Sequence, residues 1–222
     1  MKRDGIEQSI NNAGRDEFSA RLFFKPFPEA ACLRGDRVIK ALRTLARNTG
    51  RRVFLVGGLL RNLALSADKG PDYDIVLDGD IGSFAKNAAR TLRGTAFMLD
   101  KKTLSFRVVV KGRRKSPGIV LDISPIKGKG IEEDLRERDF TVNGLGMDIA
   151  SVFSASPLVC DPTGGLEDAA RKRLTASSDR VFDDDPLRVL RAVRLSQCYA
   201  LEISADTRSL MGSKAVLLKG VS

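Results

Sequence analysis

The sequence predicts an α/β unit built on a small mixed sheet, followed by a helical part. Three observations carry that prediction. Short apolar runs of strand length, "VFLV", "IVL" and "FRVVV", recur between residues 50 and 125. Segments of helical spacing lie among them, joined by glycine turns. Beyond about residue 150 the clearest periodicity is helical, in "DPLRVLRAVRLSQCYA".

Taken in order, residues 1–33 read as an N-terminal arm with weak periodicity, 34–150 as the α/β unit and 151–222 as the start of the helical part. "RGDRVIKALRTLARNTG" places Val38, Leu42 and Leu45 on one helical face and ends at Gly50. "RVFLVGG" reads as a buried strand entering a glycine turn, and "LLRNLALS" as the short helix after it. "DYDIVLDG" is a second strand. "DIGSFAKNAARTLRG" is a helix capped by Asp80 and closed by Gly94. "TAFML", "LSFRVVV" and "GIVLDIS" are further strands, the last two joined by the turn "KGRRKSPG". "EEDLRERDFTVNGLG" reads as mostly helical, and Gly164-Gly165 as a turn.

Composition narrows the chemistry. With 38 Lys+Arg against 28 Asp+Glu the chain carries +10, a surplus that favours a polyanionic partner, nucleic acid by default. No apolar run is long enough to span a bilayer. Cys32, Cys160 and Cys198 are far apart and form no CxxC, the usage of a reduced, cytoplasmic protein. The sequence has no histidine, which excludes triads, imidazole shuttles and His-ligated metals. Any metal must be a hard cation held by oxygen.

Four groups of residues carry candidate chemistry. Asp72 and Asp74 are two apart on a strand and so share a face; they suit one or two Mg²⁺ ions bridging to phosphate, or are simply strand acids at the surface. Asp122, a third acid on an apolar strand, either completes that site or ends its strand. Gly57-Gly58, between strand and helix, either let backbone N–H groups approach a phosphate or make a plain tight turn. Asp185 before Pro186 reads as a helix cap. That leaves Arg188 and Arg191 unexplained, and Asp185 with Arg188 offers an acceptor beside a donor fork. Such a pair matches the amino group and ring nitrogen of cytosine or adenine and mismatches guanine and uracil.

Together "FLVGGLLRN", "DYDIVLDGD", "EEDLRERDFTVNGLGMDI", "DPTGGLEDAARKRL" and "FDDDPLRVLRAVRLS" resemble, in order and spacing, the tRNA nucleotidyltransferase and bacterial poly(A) polymerase family. The resemblance covers roughly residues 50–220. It implies a nucleotidyltransferase head followed by an all-α neck, with the family's body and tail helices absent. It implies that Gly57, Gly58 and Arg61 hold the incoming triphosphate, that Asp72 and Asp74 bind metal, and that Arg138, Asp139 and Asn143 serve ribose and phosphates. Asp185 and Arg188 match the base-reading pair, with Arg191 beside them, and Asp122 falls where the family often has an acid on a neighbouring strand.

Three positions depart from the family. Asn62 replaces an Asp that usually follows the loop arginine, which removes a local salt link. Gly144 stands where Ala is usual and loosens the helix expected there. Only seven residues, "PIKGKGI", separate "LDIS" from "EEDLRERDF", and a short loop there resembles the CC-adding branch. The resemblance thus implies template-independent addition of C and/or A from CTP or ATP to an RNA 3′ end, tRNA first, with Mg²⁺. The alternatives are poly(A) addition, nucleotide transfer to a small molecule, and an RNA-binding module without catalysis. A Rossmann dehydrogenase is excluded by the missing glycine fingerprint.

Overall fold

The computed structural model describes residues 23–67, 70, 72–112 and 118–220. The first 22 residues of the expected arm and positions 113–117 of the expected turn lie outside the described residues.

The first long helix, α1 (Arg37–Thr49), forms because Val38, Ile39, Leu42 and Leu45 make one buried stripe. Asp36 caps it, accepting from the Val38 and Ile39 amides, and Gly50 ends it in the left-handed region at φ 64°. Strand β2 (Val53–Val56) follows, buried throughout. It turns at Gly57 into helix α2 (Gly58–Ala64), and strand β3 is Tyr73–Leu77. Tyr73 faces α1, its hydroxyl donating to Asp36 Oδ2 at 2.6 Å, so one carboxylate both caps the helix and fastens the strand. Helix α3 (Ile81–Leu92) begins on Asp80 as its sequence indicates. Its left-handed end, however, is Arg93 at φ 59°, not Gly94. Gly94 is excluded from carrying a side chain for a different reason: a Cβ there would lie 2.6 Å from the Val109 carbonyl oxygen.

Among the described residues the main sheet has eight strands, adding β4 (Thr95–Asp100), β5 (Ser105–Val110), β6 (Ile119–Pro125), β7 (Gly146–Asp148), β8 (Leu158–Cys160) and β1 (Phe24–Pro26). Their order is β1-β8-β7-β2-β3-β6-β5-β4. β3 and β6 run parallel while the other neighbouring pairs are antiparallel. The sheet therefore takes strands from both sides of the 34–150 span: β1 belongs to the expected arm and β8 to the expected helical part. Both pair because β8 offers an edge to each neighbour.

Alternation along the strands divides the two faces. Leu55, Tyr73, Ile75, Leu77, Leu121 and Ile123 pack with α1 and α3 in the largest core cluster. Val56 and Val76 face the other way, with Ile131 and Leu135 of helix α4 (Ile131–Arg136). Asp74, two residues from Val76, points to that second face, and its register partners are Val56 on β2 and Asp122 on β6.

The stretch "EEDLRERDFTVNGLG" is less helical than its periodicity indicates. Only α4 and a single 3₁₀ turn, Thr141–Asn143, form. Between them Phe140 is extended and bridges Ala176, because its ring is fully buried against Phe182, with centroids 6.4 Å apart. Gly144 thus closes a 3₁₀ turn rather than sitting inside a helix. A Cβ on it would come within 2.7 Å of Thr163 Oγ1.

The C-terminal helices pack on this segment. They are α5 (Gly165–Ala170), α6 (Val181–Asp184), α7 (Arg188–Tyr199) and α8 (Ala205–Lys214), with a two-residue parallel pair, β9 (Arg173–Leu174) and β10 (Glu202–Ile203), among them. Val142, Leu174, Phe182, Val189, Ala192 and Leu195 share one core. That core lays α7 across the carboxylate-bearing face of the sheet.

Candidate active site

The cleft between the sheet and α7 has a volume of about 470 Å³. Its floor is the junction of β2 and β3. Gly57 sits there at φ 71°, and a Cβ on it would lie 3.1 Å from Asp74 Oδ2 and 3.3 Å from Arg138 Nη1. The glycine leaves room between an acid and a base that a side chain would fill. Among the described cations, Arg138 and then Arg191 exert the pull that lowers the proton affinity of Asp74. Gly57's own amide donates to the Leu145 carbonyl at 3.3 Å, which fits the tight-turn reading of Gly57 and commits that N–H.

Asp72 and Asp74 both line the cleft. Burial, then the charge of Asp72 and more weakly that of Asp122, push the Asp74 carboxyl up to about 6, against the pull of Arg138 and Arg191. Asp122 is brought beside Asp74 by register but is already ion-paired. Arg107 on β5 grips both of its oxygens at 2.7 Å, Nε to Oδ1 and Nη2 to Oδ2. Arg107 was not legible as a site residue; its signal is its place opposite Asp122 in the antiparallel register.

The wall nearest α2 is a chain of polar contacts. Arg61, only 8% exposed, donates from Nη1 to Asn143 Oδ1 at 2.7 Å. Its Nη2 reaches Asn62 Oδ1 at 3.1 Å and the Tyr199 hydroxyl at 2.6 Å, and the guanidinium lies 4.4 Å over the Tyr199 ring. The Tyr199 hydroxyl donates to Asn62 Oδ1 at 2.8 Å. Asn62 therefore keeps a local link to Arg61, as a neutral acceptor in place of a carboxylate. Asn143 Nδ2 donates to Asp139 Oδ1 at 2.8 Å, and Asp139 Oδ2 lies 2.7 Å from Arg191 Nε. Arg138 is held by Asp134, Nη2 to Oδ2 at 2.9 Å. Asp134 also accepts the Lys127 amide at 3.1 Å, pinning the short loop before α4. Arg138, Asp139 and Asn143, grouped by the family resemblance, line the same cleft as Arg61 and Arg191, which it had placed in two other groups.

Asp185 and Arg188 also line the cleft. Asp185 Oδ1 accepts the Leu187 amide at 2.9 Å, which is a capping role, but of a turn: α7 starts at Arg188, and Pro186 lies before the helix rather than at its first position. Arg188 Nη1 donates to the Val181 carbonyl at 3.3 Å, which aims the guanidinium along α6. Lys127, Glu137, Arg194 and Tyr199 are among the lining residues not singled out from the sequence.

Could these residues hold a metal? Among the described residues no group of three or more His, Cys, Asp or Glu side chains is arranged to hold one. Asp122 is spent on Arg107. What remains is a carboxylate pair, one member of which, Asp74, has its proton affinity raised first by burial and then by the charge of Asp72. Two carboxylates with further oxygens drawn from a phosphate are a fitting donor set for Mg²⁺, which is commonly bound by one or two carboxylates plus substrate phosphates.

Fold and cleft together define a class: an α/β protein with paired acids on a sheet face, set opposite a basic wall suited to a polyphosphate. The family follows from comparison. The family model described as "Poly A polymerase head domain" matches residues 53–175, and the chain belongs to that family. It is similar to the CC-adding tRNA nucleotidyltransferase of Geobacter sulfurreducens, 36% identical over 181 residues, 82% of this chain and 40% of the relative. It is also similar to the A-adding tRNA nucleotidyltransferase of Halalkalibacterium halodurans, 29% identical over 183 residues, 78% of this chain and 42% of the relative. A solved CCA-adding enzyme in complex with CTP superposes with a TM-score of 0.75 at 28% identity, covering 90% of this chain and 49% of that one. The chain thus spans less than half the length of these proteins.

Proposed function

We propose that this chain carries the catalytic head of a template-independent nucleotidyltransferase that adds C and/or A from CTP or ATP to the 3′ end of tRNA. The observation that carries the reading is the cleft itself. It sets Asp74 and Arg138 on either side of the Gly57 turn, with Asp72 and the Asp185–Arg188 pair on the same lining. A cytoplasmic location belongs to the same reading, supported by free cysteines at 32, 160 and 198. No helix among the described residues is long and apolar enough to cross a membrane.

In this mechanism the RNA 3′-oxygen forms a bond to the α-phosphorus as the α–β bridging P–O bond breaks. Pyrophosphate departs, and the hydroxyl proton passes to water. Asp72 and Asp74 would hold Mg²⁺, which supplies charge stabilisation at the transferring phosphoryl group when bound. Arg61 and Arg138 face the triphosphate with Gly58 at the turn. Asp139 and Asn143 set the orientation of Arg191 and Arg61. Arg188 donates to the base's ring nitrogen and Asp185 accepts from its amino group, Oδ1 remaining engaged with Leu187. Asp122, bound by Arg107, supports the sheet face beside Asp74 and takes no direct part.

The CC-adding form is favoured by a specific observation. The loop of residues 126–130 is short and tied down by Ile126 N to Leu77 O at 3.2 Å, Lys127 N to Asp134 Oδ1 at 3.1 Å and Lys129 N to Glu133 Oε2 at 2.9 Å. A loop fastened this way gives one binding geometry rather than two. The test is single-triphosphate extension of tRNA substrates ending before, within and after CCA. Extension by CTP that stops after two residues supports the reading; incorporation of ATP alone supports the adenylating forms, and no incorporation on any end rejects it.

A further inference from the structure

Arg61 presents an unusual situation. It is a buried cation whose hydrogen-bond partners are the carbonyl oxygens of Asn143 and Asn62 and a tyrosine hydroxyl, all neutral. Its Nε is buried with no hydrogen-bond partner. A desolvated guanidinium is costly to bury without an anion, so this arrangement keeps a positive charge in reserve at the cleft. It also needs something to hold the side chain in place, since no carboxylate does so.

Tyr199 fits that need. It is the last residue of α7, 138 positions from Arg61 in the chain. Its hydroxyl accepts from Arg61 Nη2 and donates to Asn62 Oδ1, while Asn62 Oδ1 accepts from the same Nη2, closing a triangle with contacts of 2.6, 2.8 and 3.1 Å. Its ring lies under the guanidinium at 4.4 Å, a cation–π contact that strengthens out of water. The other end of the same helix bears Arg188, and Arg191, one turn further on, reaches Asp139 and through it Asn143 and Arg61.

We infer that Tyr199 is a positioning residue that holds the Arg61 guanidinium in its phosphate-facing pose and ties it to α7, so that the triphosphate turn and the base-reading helix form one rigid wall. This inference rests on the proposed function above. A phenol suits the position where a carboxylate would not: it orients the guanidinium without neutralising it, leaving the full charge for an incoming polyphosphate.

The test uses the full chain with Mg²⁺, measuring affinity for CTP and for inorganic triphosphate by calorimetry, with thermal melts of the same samples. Tyr199→Phe keeps the ring and loses the hydroxyl; it should weaken both ligands by about tenfold, the range for one hydrogen bond to a charged group. In a double-mutant cycle with Arg61→Lys the two losses should not add, because Tyr199 acts through Arg61. Equal affinities for wild type and Tyr199→Phe overturn the inference and leave the function standing. So does a loss confined to CTP, which would place Tyr199 at the base, or additive losses in the cycle. A fall in melting temperature large enough to account for the weakening also overturns it. Failure of the wild-type chain to bind either ligand overturns the inference together with the function it rests on.

Discussion

Asp74 and Asp122 stand side by side across the parallel strands β3 and β6, yet both oxygens of Asp122 are gripped by Arg107. Neighbours in register, the two carboxylates are given different work by the strand that follows. Asp74 borders the cleft with a raised proton affinity, whereas Asp122 is half of an ion pair.

Their substitutions should therefore separate. Asp74→Asn should reduce nucleotide transfer by more than about 10³-fold, the scale of the several kcal/mol that metal-held charge supplies. Asp122→Asn, which still accepts from Arg107, should stay within about tenfold of wild type. Steady-state rates of CTP incorporation check both, and equal losses would make Asp122 a third catalytic acid.

Asp74 also sets a pH dependence. Its folded-state pKa of about 6 lies above the ordinary 3.8, so between these values the folded protein binds more protons than the unfolded chain. Metal-free stability then falls as pH rises from about 4 to about 6 and stays at the lower level above that. Asp74→Asn should raise stability at pH 8 by about 3 kcal/mol without metal and by well under about 1 kcal/mol at pH 4. Thermal melts in chelator at the two pH values measure it, and added Mg²⁺ should narrow the gap at pH 8 by stabilising the wild type alone.

Asp185 separates capping from base choice. Asparagine retains an acceptor for the Leu187 amide, so Asp185→Asn should keep its melting behaviour within about 1 kcal/mol. If the carboxylate also accepts from the base's amino group, the ratio of CTP to UTP incorporation should drop by about tenfold or more. An unchanged ratio leaves Asp185 a turn cap.

Asp168 predicts a purely structural loss. It is 3% exposed, accepts from Thr141 Oγ1 at 2.6 Å and pairs with Arg173 Nε at 2.6 Å. It thereby joins α5 to the 3₁₀ turn that ends in Asn143. Asp168→Ala should cost about 2–4 kcal/mol, less than a fully buried pair because Arg173 can turn to water. Chemical denaturation reads this, and a cost under about 1 kcal/mol would rule it out.

The basic surplus predicts salt-sensitive RNA binding. Affinity for a tRNA 3′ strand should fall with a log–log slope of about −0.7 per phosphate neutralised. Arg194→Ala, on the exposed side of α7, should flatten that slope by roughly one phosphate's worth. A slope near zero for the wild type would reject phosphate-driven binding.

Local chemistry is why much of this was legible in the sequence. Gly50 ends α1, Asp80 starts α3, and Asp72 and Asp74 line one cleft as their spacing indicates, although Asp72 precedes β3 rather than lying on it. Caps, periodicity and strand alternation act within a few residues, so a one-dimensional reading reaches them. The helical reading of residues 132–146 failed because the burial of Phe140 against Phe182, 42 positions away, outweighs helical spacing.

The sequence by itself determined the glycine turn after β2, an acid on β3 with a second just before it, and the arginines on one helix. Only the tertiary structure decided which cation each group meets. Arg107 reaches Asp122 through the β5–β6 register, Arg138 pairs with Asp134 while its charge draws on Asp74, and Tyr199 reaches Arg61 across 138 residues. The physical reason is that a buried polar group must find a partner wherever packing places one, and packing is set by cores assembled from distant segments. Spacing along the chain fixes which face a side chain takes; the neighbour waiting on that face is fixed by the fold.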